Sequence, residues 1–143
     1  MSRKRTWSRR CAAQAIYQWQ VTGETPGNLQ ATFPADQDMA QADADYFEEL
    51  FRGVVGQVQE LDEHLAPLLD RKVAELDPVE RAILRLGAYE LVAHPEVPYR
   101  VVINEAIELA KRFGADQGHK YVNSVLDKVA QHVRAVEVRG PAA

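Results

Sequence analysis

The sequence predicts an all-α fold in which six or seven helices form two small bundles packed together. Apolar residues recur at helical spacing along most of the 143-residue chain, whereas strands would need alternation. Asp77 and Pro78 stand in the order of a helix N-cap followed by proline at the first helical position. Only Val97 and residues 101–103 favour strands, and the latter continue into a helical pattern.

In the N-terminal half, the first helix is predicted over residues 8–22, and Gly23 ends it. Its apolar stripe comprises Cys11, Ala12, Ala15, Ile16 and Trp19. The following stretch, 24–42, is rich in Pro, Gly, Asp and Gln, and we expect one short helix near 28–33. A long helix then begins at Asp43 or Asp45 and carries a core face as far as Val58, and a shorter helix covers 61–69.

Three helices are predicted in the C-terminal half. The first begins after Asp77, where Glu80 completes a capping-box pattern, and it ends near residue 94. The second begins at Pro98 and ends at Gly114, and the third is capped by Asp116 and continues to residue 133.

These elements predict one domain with four parts. We expect a flexible basic arm over 1–8, an N-terminal helical subdomain over about 9–70, a C-terminal helical subdomain over about 71–136, and a frayed tail over 137–143.

The composition indicates a cytoplasmic protein. Cys11 is the only cysteine, so no intrachain disulfide can form. No apolar run reaches the length of a membrane span. Glutamines interrupt the apolar residues that follow the basic N-terminus, and we therefore expect no signal peptide and no membrane contact.

Motifs for catalysis are missing from the sequence. It contains no Gly-Lys-Ser/Thr phosphate loop, no dinucleotide fingerprint and no nucleophile elbow. Cys11 lies on an apolar stripe, which favours core packing over nucleophilic chemistry. The four histidines lack metal-ligand spacing, and the acidic pairs near residue 36 lack the Gly and Glu of a calcium loop. We therefore expect no enzyme activity, no metal and no cofactor.

Charge is distributed unevenly along the chain. The first ten residues carry five basic side chains and no acid, whereas the whole chain has 17 basic and 21 acidic residues. Residues 11–70 contain one basic residue and eleven acids. This acidic half has two interpretations: an acidic surface that keeps the protein soluble, or a docking face for a basic protein. A concentrated positive arm on a negative body is typical of a protein that binds a polyanion, and clustered cations favour nucleic acid through counterion release.

Two helix stripes extend the basic arm. Arg10, Gln14 and Tyr17 are spaced to form one stripe on the first helix. A second stripe on the last helix comprises Gln117, Lys120, Tyr121, Ser124 and Lys128. Each stripe mixes cations, amides and an aromatic ring, which suits phosphate binding, reading of base edges and base stacking on single-stranded RNA. Taken alone, each stripe is more simply explained as a solvated helix face, and only the combination with the basic arm favours nucleic-acid binding.

Three sequence blocks resemble the NusB family of bacterial transcription antitermination factors. The first block is RRCAAQAIYQW, at residues 9–19. The second is LDPVERAILRLGAYEL, at residues 76–91. The third is VPYRVVINEAIELAKRFG, at residues 97–114, and it continues through HKYVNSVLDK, at residues 119–128. The resemblance covers nearly the whole chain, from Arg9 to about residue 133.

The resemblance implies a non-enzymatic RNA-binding factor with two small helix bundles. Its expected RNA is the boxA element of nascent ribosomal RNA leaders, and its expected protein partner is NusE, a small-subunit ribosomal protein. The heterodimer would join the other Nus factors on elongating RNA polymerase and suppress termination. A homodimer is possible, because some relatives self-associate.

The resemblance and the stripes together predict the site residues. The RNA-binding set is Arg3, Lys4, Arg5, Arg9, Arg10, Gln14, Gln117, Lys120 and Tyr121. Family members often have an acid at position 117 and Phe at position 121, so we expect Gln117 not to weaken RNA binding. Tyr17 and Glu80 match positions at the NusE interface, although Tyr17 could instead stack on RNA and Glu80 could cap its helix. Replacing Arg9 and Arg10 with Glu is expected to abolish RNA binding and preserve helicity.

Two alternative functions remain open from the sequence. A similar helical domain precedes the catalytic domain of some ribosomal RNA cytosine methyltransferases, and such a protein would transfer a methyl group from S-adenosylmethionine. The chain could also be a homo-oligomeric helical adaptor whose RNA-binding face lies between subunits.

Overall fold

The computed structural model describes residues 3–24 and 40–140. These residues form seven α-helices and no strand, and the predicted all-α class is confirmed. The predicted short helix near 28–33 lies outside the described residues. The helices are α1 (Arg3–Thr22), α2 (Ala44–Gly56), α3 (Val58–Leu65), α4 (Pro78–Ala93), α5 (Tyr99–Phe113), α6 (Gly118–Val133) and α7 (Ala135–Arg139), with short 3₁₀ turns at Ala66–Leu68 and Val73–Glu75.

Helix α1 begins five residues earlier than predicted, so the expectation of a flexible arm is wrong for residues 3–8. Ser8 Oγ accepts a hydrogen bond from Asp43 N at 3.0 Å and donates one to Asp43 O at 2.7 Å. Thr6 Oγ1 donates to Glu105 Oε1 at 2.7 Å. These contacts tie the first two turns of α1 to the start of α2 and to α5, and they stabilise a helical end that its basic residues disfavour through the macrodipole.

Helix α2 begins as predicted, since the Asp43 carboxylate accepts a hydrogen bond from Tyr46 N at 3.1 Å. The predicted continuation to Val58 is wrong, because the helix breaks at Gln57, whose φ and ψ are −119° and 20°. Helix α3 then ends at Leu65, and the chain passes through a 3₁₀ turn that contains Pro67 instead of the helix expected to residue 69.

Helix α4 is the centre of the fold and packs against α1, α2, α3, α5 and α6. Asp77 caps it as predicted: its carboxylate accepts from Val79 N at 3.1 Å and from Glu80 N at 3.2 Å. Close packing requires glycine at position 87, because a Cβ there would lie 2.6 Å from Leu126 Cδ1. The buried residues of both predicted subdomains form one hydrophobic cluster.

The last helices differ from the prediction at both ends of α6. Gly114 ends α5 as expected. Asp116 does not cap α6; Gln117 is the N-cap residue, and its φ of 69° turns the chain into the helix. The tail is helical over residues 135–139, because the Glu137 carboxylate accepts from Tyr99 N at 2.7 Å and pairs with Arg134 at 2.6 Å.

Two expectations from composition concern the core and the membrane. Cys11 is buried, with 1% of its surface exposed, and it packs in the core as predicted. Among the described helices, none has both the length and the apolar character needed to cross a membrane.

Candidate nucleic-acid interface

The predicted stripe on α1 lies at the protein surface. Arg10 and Gln14 are half-buried, and Tyr17 is 38% exposed. The Arg10 guanidinium lies 4.5 Å from the centre of the Trp7 ring, so the two side chains form a cation–π pair. The stripe therefore presents a cation, an amide and two aromatic rings along about three turns of one helix.

The basic residues of the first turn divide between two directions. Arg3 and Lys4 are exposed. Arg5 is half-buried, and its guanidinium lies 4.2 Å from the centre of the Tyr46 ring on α2. Arg5 therefore faces α2, whereas the Arg10 guanidinium lies on the α1 surface.

Arg9 is buried, and the expectation that it contacts RNA does not fit this structure. Only 2% of its surface is exposed. Its guanidinium donates to both carboxylate oxygens of Glu90, at 2.8 and 2.9 Å, and to Glu105 Oε1 at 2.7 Å. Because the Arg9 side chain is buried and holds two carboxylates, substituting Arg9 and Arg10 together would perturb the core as well as the candidate RNA surface.

The cluster around Arg9 joins four helices. Tyr46 on α2 donates its hydroxyl hydrogen to Glu90 Oε2 at 2.6 Å. Burial and the Glu90 charge raise the pKa of Tyr46. Burial alone would lower the pKa of Arg9, but the hydrogen bonds and charge of Glu90 raise it above its ordinary value. Arg9 thereby stays charged and Tyr46 stays neutral, and their hydrogen bonds fix α1 to α2, α4 and α5.

The predicted stripe on α6 is also at the surface. Gln117 and Lys120 are exposed, and Tyr121 is half-buried. The Tyr121 hydroxyl donates to Asp70 Oδ1 at 2.8 Å, and the Arg71 guanidinium lies 5.1 Å from the centre of its ring. The hydrogen bonds from Arg71 and Tyr121 lower the pKa of Asp70 to about 2, so this carboxylate stays ionised and holds the ring in place.

A shallow groove lies beside the α1 stripe. Its volume is about 270 Å³. It is lined by Ala13, Gln14, Tyr17, Gln18, Val79, Ala82, Ile83 and Phe113. Phe113 is 36% exposed and ends α5, only four residues before Gln117. The α1 stripe therefore borders a mostly apolar groove through Gln14 and Tyr17, and the α6 stripe contributes no residue to its lining.

Glu80 stands at the edge of this groove. Its neighbour Val79 lines the groove, and its own Oε1 lies so close to Gly118 that a Cβ there would be 3.0 Å away. Burial and the nearby Asp77 carboxylate raise the pKa of Glu80. The Glu80 backbone N–H thus donates a hydrogen bond to the capping Asp77 carboxylate, whereas the Glu80 carboxylate lies at the start of α6.

Sequence reasoning missed two cations of the last turn of α5. Lys111 and Arg112 are exposed, and both line a second concavity with Arg10. Both basic residues are visible in the sequence, but cations at a helix C-terminus are ordinarily explained by their favourable interaction with the helix macrodipole. The sequence does not predict that they lie beside Arg10, because they are about one hundred residues away from it along the chain.

Within residues 3–24 and 40–140, no cluster of three or more His, Cys, Asp or Glu side chains could hold a metal ion. His94 instead bonds through its two ring nitrogens to Glu96, at 2.7 Å, and to Glu49, at 2.5 Å.

Comparison with known proteins places the chain among relatives of one kind. The model of the NusB family matches residues 6–131. The transcription antitermination protein NusB of Nitrosococcus oceani is 56% identical over 142 residues, which cover 99% of this chain and 95% of that protein. The protein of the same name from Alcanivorax borkumensis is 57% identical over 130 residues, which cover 91% and 87%.

Solved structures agree with this placement. NusB of T. maritima aligns with a TM-score of 0.81 at 27% identity, covering 97% of this chain and 99% of that one. A crystal structure of the antitermination factors NusB and NusE in complex with dsRNA also has a TM-score of 0.81 at 27% identity, covering 92% and 99%.

These matches confirm the resemblance that the three sequence blocks predicted. The relatives are named as transcription antitermination proteins and not as enzymes. The family match spans both stripes, since it begins before Arg10 and ends after Lys128. The chain belongs to the NusB family of transcription antitermination proteins.

Proposed function

We propose that this chain is a cytoplasmic transcription antitermination factor that binds boxA-type single-stranded RNA together with NusE during transcription of ribosomal RNA operons. The observation that carries the proposal is the surface stripe of Arg10, Gln14 and Tyr17 on α1, which borders a mostly apolar groove. The surface stripe of Gln117, Lys120 and Tyr121 on α6 has the same mixture of side chains. The complex would act with other Nus factors on RNA polymerase.

The chemistry of this face suits an unpaired strand. Arg10 and Lys120 can neutralise phosphates, and Tyr121 is held with part of its ring exposed for stacking. Gln14 and Gln117 carry both donors and acceptors for base edges. Arg9 has no part in this surface, because its guanidinium is already satisfied inside the protein.

The protein partner is proposed to occupy the groove beside the α1 stripe. The groove is mostly apolar, and Tyr17 and Phe113 expose large rings there. The structural relative in complex with NusE and dsRNA supports a partner of this kind. Glu80, at the rim of the groove, would offer its carboxylate to a basic side chain of NusE.

An RNA titration tests the proposal. We expect a labelled boxA-type RNA to bind with an affinity that falls linearly with salt on a logarithmic scale, with a slope of about −0.7 per phosphate neutralised. Arg10→Gln and Lys120→Gln should each make this slope shallower by about 0.7. Arg52→Gln is the matched control, because Arg52 is exposed on α2 and pairs with Glu48 at 2.9 Å.

Three further measurements separate the alternatives. A duplex of the same RNA should bind less tightly than the single strand, because paired bases cannot stack on Tyr121. NusE should raise the RNA affinity, and Tyr17→Asp should remove that gain. Equal affinity for duplex and single strand, or full RNA affinity in an Arg10→Gln/Lys120→Gln variant, would contradict the proposal. Sedimentation at several protein concentrations decides whether a homodimer covers the same groove.

A further inference from the structure

Trp7 has a position that protein stability does not explain. It is half-buried, and residues 7, 10, 14 and 17 share one face of α1, so Trp7 extends the stripe of Arg10, Gln14 and Tyr17 by one turn. Of the two tryptophans, Trp19 packs against the hydrophobic core and Trp7 does not. A large aromatic ring on a surface stripe is typical of a binding site.

A groove lies beside this end of the stripe, between the first turns of α1 and the last turn of α5. Its volume is about 300 Å³. Four cations and two carboxylates line it, together with Thr6 and Leu109; the charged residues are Arg9, Arg10, Lys111, Arg112, Glu105 and Glu108. The groove is therefore positively charged on balance.

The two carboxylates of the groove are already engaged. Glu105 accepts hydrogen bonds from Arg9 and Thr6, both at 2.7 Å, and Glu108 lies 3.9 Å from Lys111. Arg10 and Arg112 instead contact aromatic rings, Trp7 at 4.5 Å and Phe113 at 5.8 Å. Within the described part of the chain, neither of these arginines is paired with a carboxylate.

These contacts leave two guanidinium groups available to an anion beside a half-buried indole. A guanidinium that stacks on an aromatic ring keeps its N–H edges free for a phosphate, because stacking uses only its planar face. The indole offers its remaining surface to a nucleobase, and such stacking tolerates any base.

We infer that Trp7, Arg10 and Arg112 form a subsite for one unpaired nucleotide, with the base stacked on Trp7 and the phosphate held by the arginines. This inference rests on the proposed RNA-binding function and adds residues that extend the RNA path beyond Arg10, away from Tyr17.

An RNA ligand fits the subsite better than an acidic peptide does. An acidic peptide needs cations only, whereas Arg10 and Arg112 in this groove each contact an aromatic ring, Trp7 and Phe113 respectively. Trp7 also continues the same stripe as Gln14 and Tyr17, which favours a strand that follows the helix.

The test combines Trp7 variants with RNAs that lack one base. In the Trp7→Ala variant, we expect the affinity for the intact single strand to fall about 5- to 150-fold, the range of one lost base stack. An abasic scan of the RNA should reveal one position at which removing the base costs affinity in the wild type and costs little in Trp7→Ala. Trp7→Phe should restore part of the affinity, because it keeps an aromatic face.

Fluorescence gives an independent readout that does not depend on the Ala variant being folded. In a Trp19→Phe background, Trp7 is the only tryptophan, since the sequence has two. RNA should quench its emission, and the RNA that is abasic at the coupled position should not. Arg112→Gln should make the salt slope shallower by about 0.7, as expected for one phosphate contact.

The failures of the two hypotheses can be told apart. If the wild-type protein binds no boxA-type RNA, the proposed function and this subsite both fail. If it binds RNA, but Trp7 emission is unchanged and no abasic position couples to Trp7→Ala, the subsite alone is overturned. Quenching of Trp7 by a poly-glutamate peptide, without quenching by RNA, would also overturn it and assign the groove to an acidic protein.

Discussion

The buried cluster around Arg9 predicts a large loss of stability when its cation is removed. Arg9→Gln would delete three charge-assisted hydrogen bonds of 2.7–2.9 Å and leave two carboxylates without their cation. Glu90 is 2% exposed and Glu105 is 7% exposed, so solvent cannot replace the lost donors. Removing one partner of a buried ion pair costs about 3–5 kcal/mol, and a domain of this kind has a total stability of about 5–15 kcal/mol.

Urea unfolding followed by circular dichroism measures this loss. Arg10→Gln is the matched control, because Arg10 is the next residue on the same helix and lies at the surface; its free energy of unfolding should stay within about 0.5 kcal/mol of the wild type. Glu90→Gln should cost less than Arg9→Gln. It leaves Arg9 paired with Glu105 and keeps an amide oxygen to accept the hydrogen bond from Tyr46.

A double-mutant cycle decides whether the charge cluster is the cause. Arg9→Gln combined with Glu90→Gln should cost less than the sum of the two single changes, because only the Glu105 charge then remains. The reasoning would be refuted if Arg9→Gln lowered the free energy of unfolding by less than about 1 kcal/mol. It would also be refuted if the two single changes were simply additive.

Three smaller predictions concern stability and RNA affinity. The pKa of Glu80 is raised in the folded state, so protonated Glu80 stabilises the fold fully below its ordinary pKa of 4.5, and this stabilisation is lost as the pH rises through the folded-state pKa. Urea unfolding at pH 7 should therefore show that Glu80→Gln is more stable than the wild type. The same variant should bind NusE less tightly. In Gly53→Ala the new Cβ would overlap the Tyr89 ring, and the free energy of unfolding should fall by about 1–3 kcal/mol. Gly56→Ala is the control, because nothing lies within 4 Å of its new Cβ, and its free energy of unfolding should not fall. Equal thermal midpoints of the two variants would contradict this. Gln117→Asp should weaken RNA binding in a titration without a change in helicity, because the exposed side chain at this position would carry a negative charge towards the phosphates.

Helices α1 to α6 could be predicted from the sequence because each buries an apolar stripe, whereas α7 buries no residue and was not predicted. Asp43 and Asp77 were recognised as caps, since a carboxylate that accepts from the first free N–H groups is a local interaction. The start of α1 could not be predicted in the same way. Residues 3–8 become helical through contacts with Asp43 and Glu105, which lie far away in the sequence.

The position of Arg9 on its helix indicates burial, although its charge suggests an exposed residue. Arg9 lies on the core stripe of its helix, one turn before Ala12 and Ala13. Glu90 lies at helical spacing from Leu86, and Glu105 lies between Val102 and Leu109, so all three charges interrupt buried stripes. Charges at core positions require a partner, and the three together could have predicted one another.

The candidate RNA surface was predicted in part for a related reason. Arg10, Gln14, Lys120 and Tyr121 lie on helix faces, and periodicity assigns a residue to a face without any knowledge of tertiary contacts. Arg112 was missed because its place beside Arg10 depends on how α1 packs against α5. Pairwise geometry of this kind arises only when the helices are assembled.

The neighbouring arginines 9 and 10 show how the core supports the surface. They are about 100° apart around α1, so one enters the core and the other faces solvent. The buried pairing of Arg9 fixes the first turns of α1 on α4 and α5, and Arg10 and Trp7 are therefore held on a rigid helix and not on a mobile arm. A rigid surface loses less conformational entropy on binding. Removing Arg9 should consequently weaken RNA binding through disorder of the helix as well as reduce stability, whereas removing Arg10 should change RNA affinity alone.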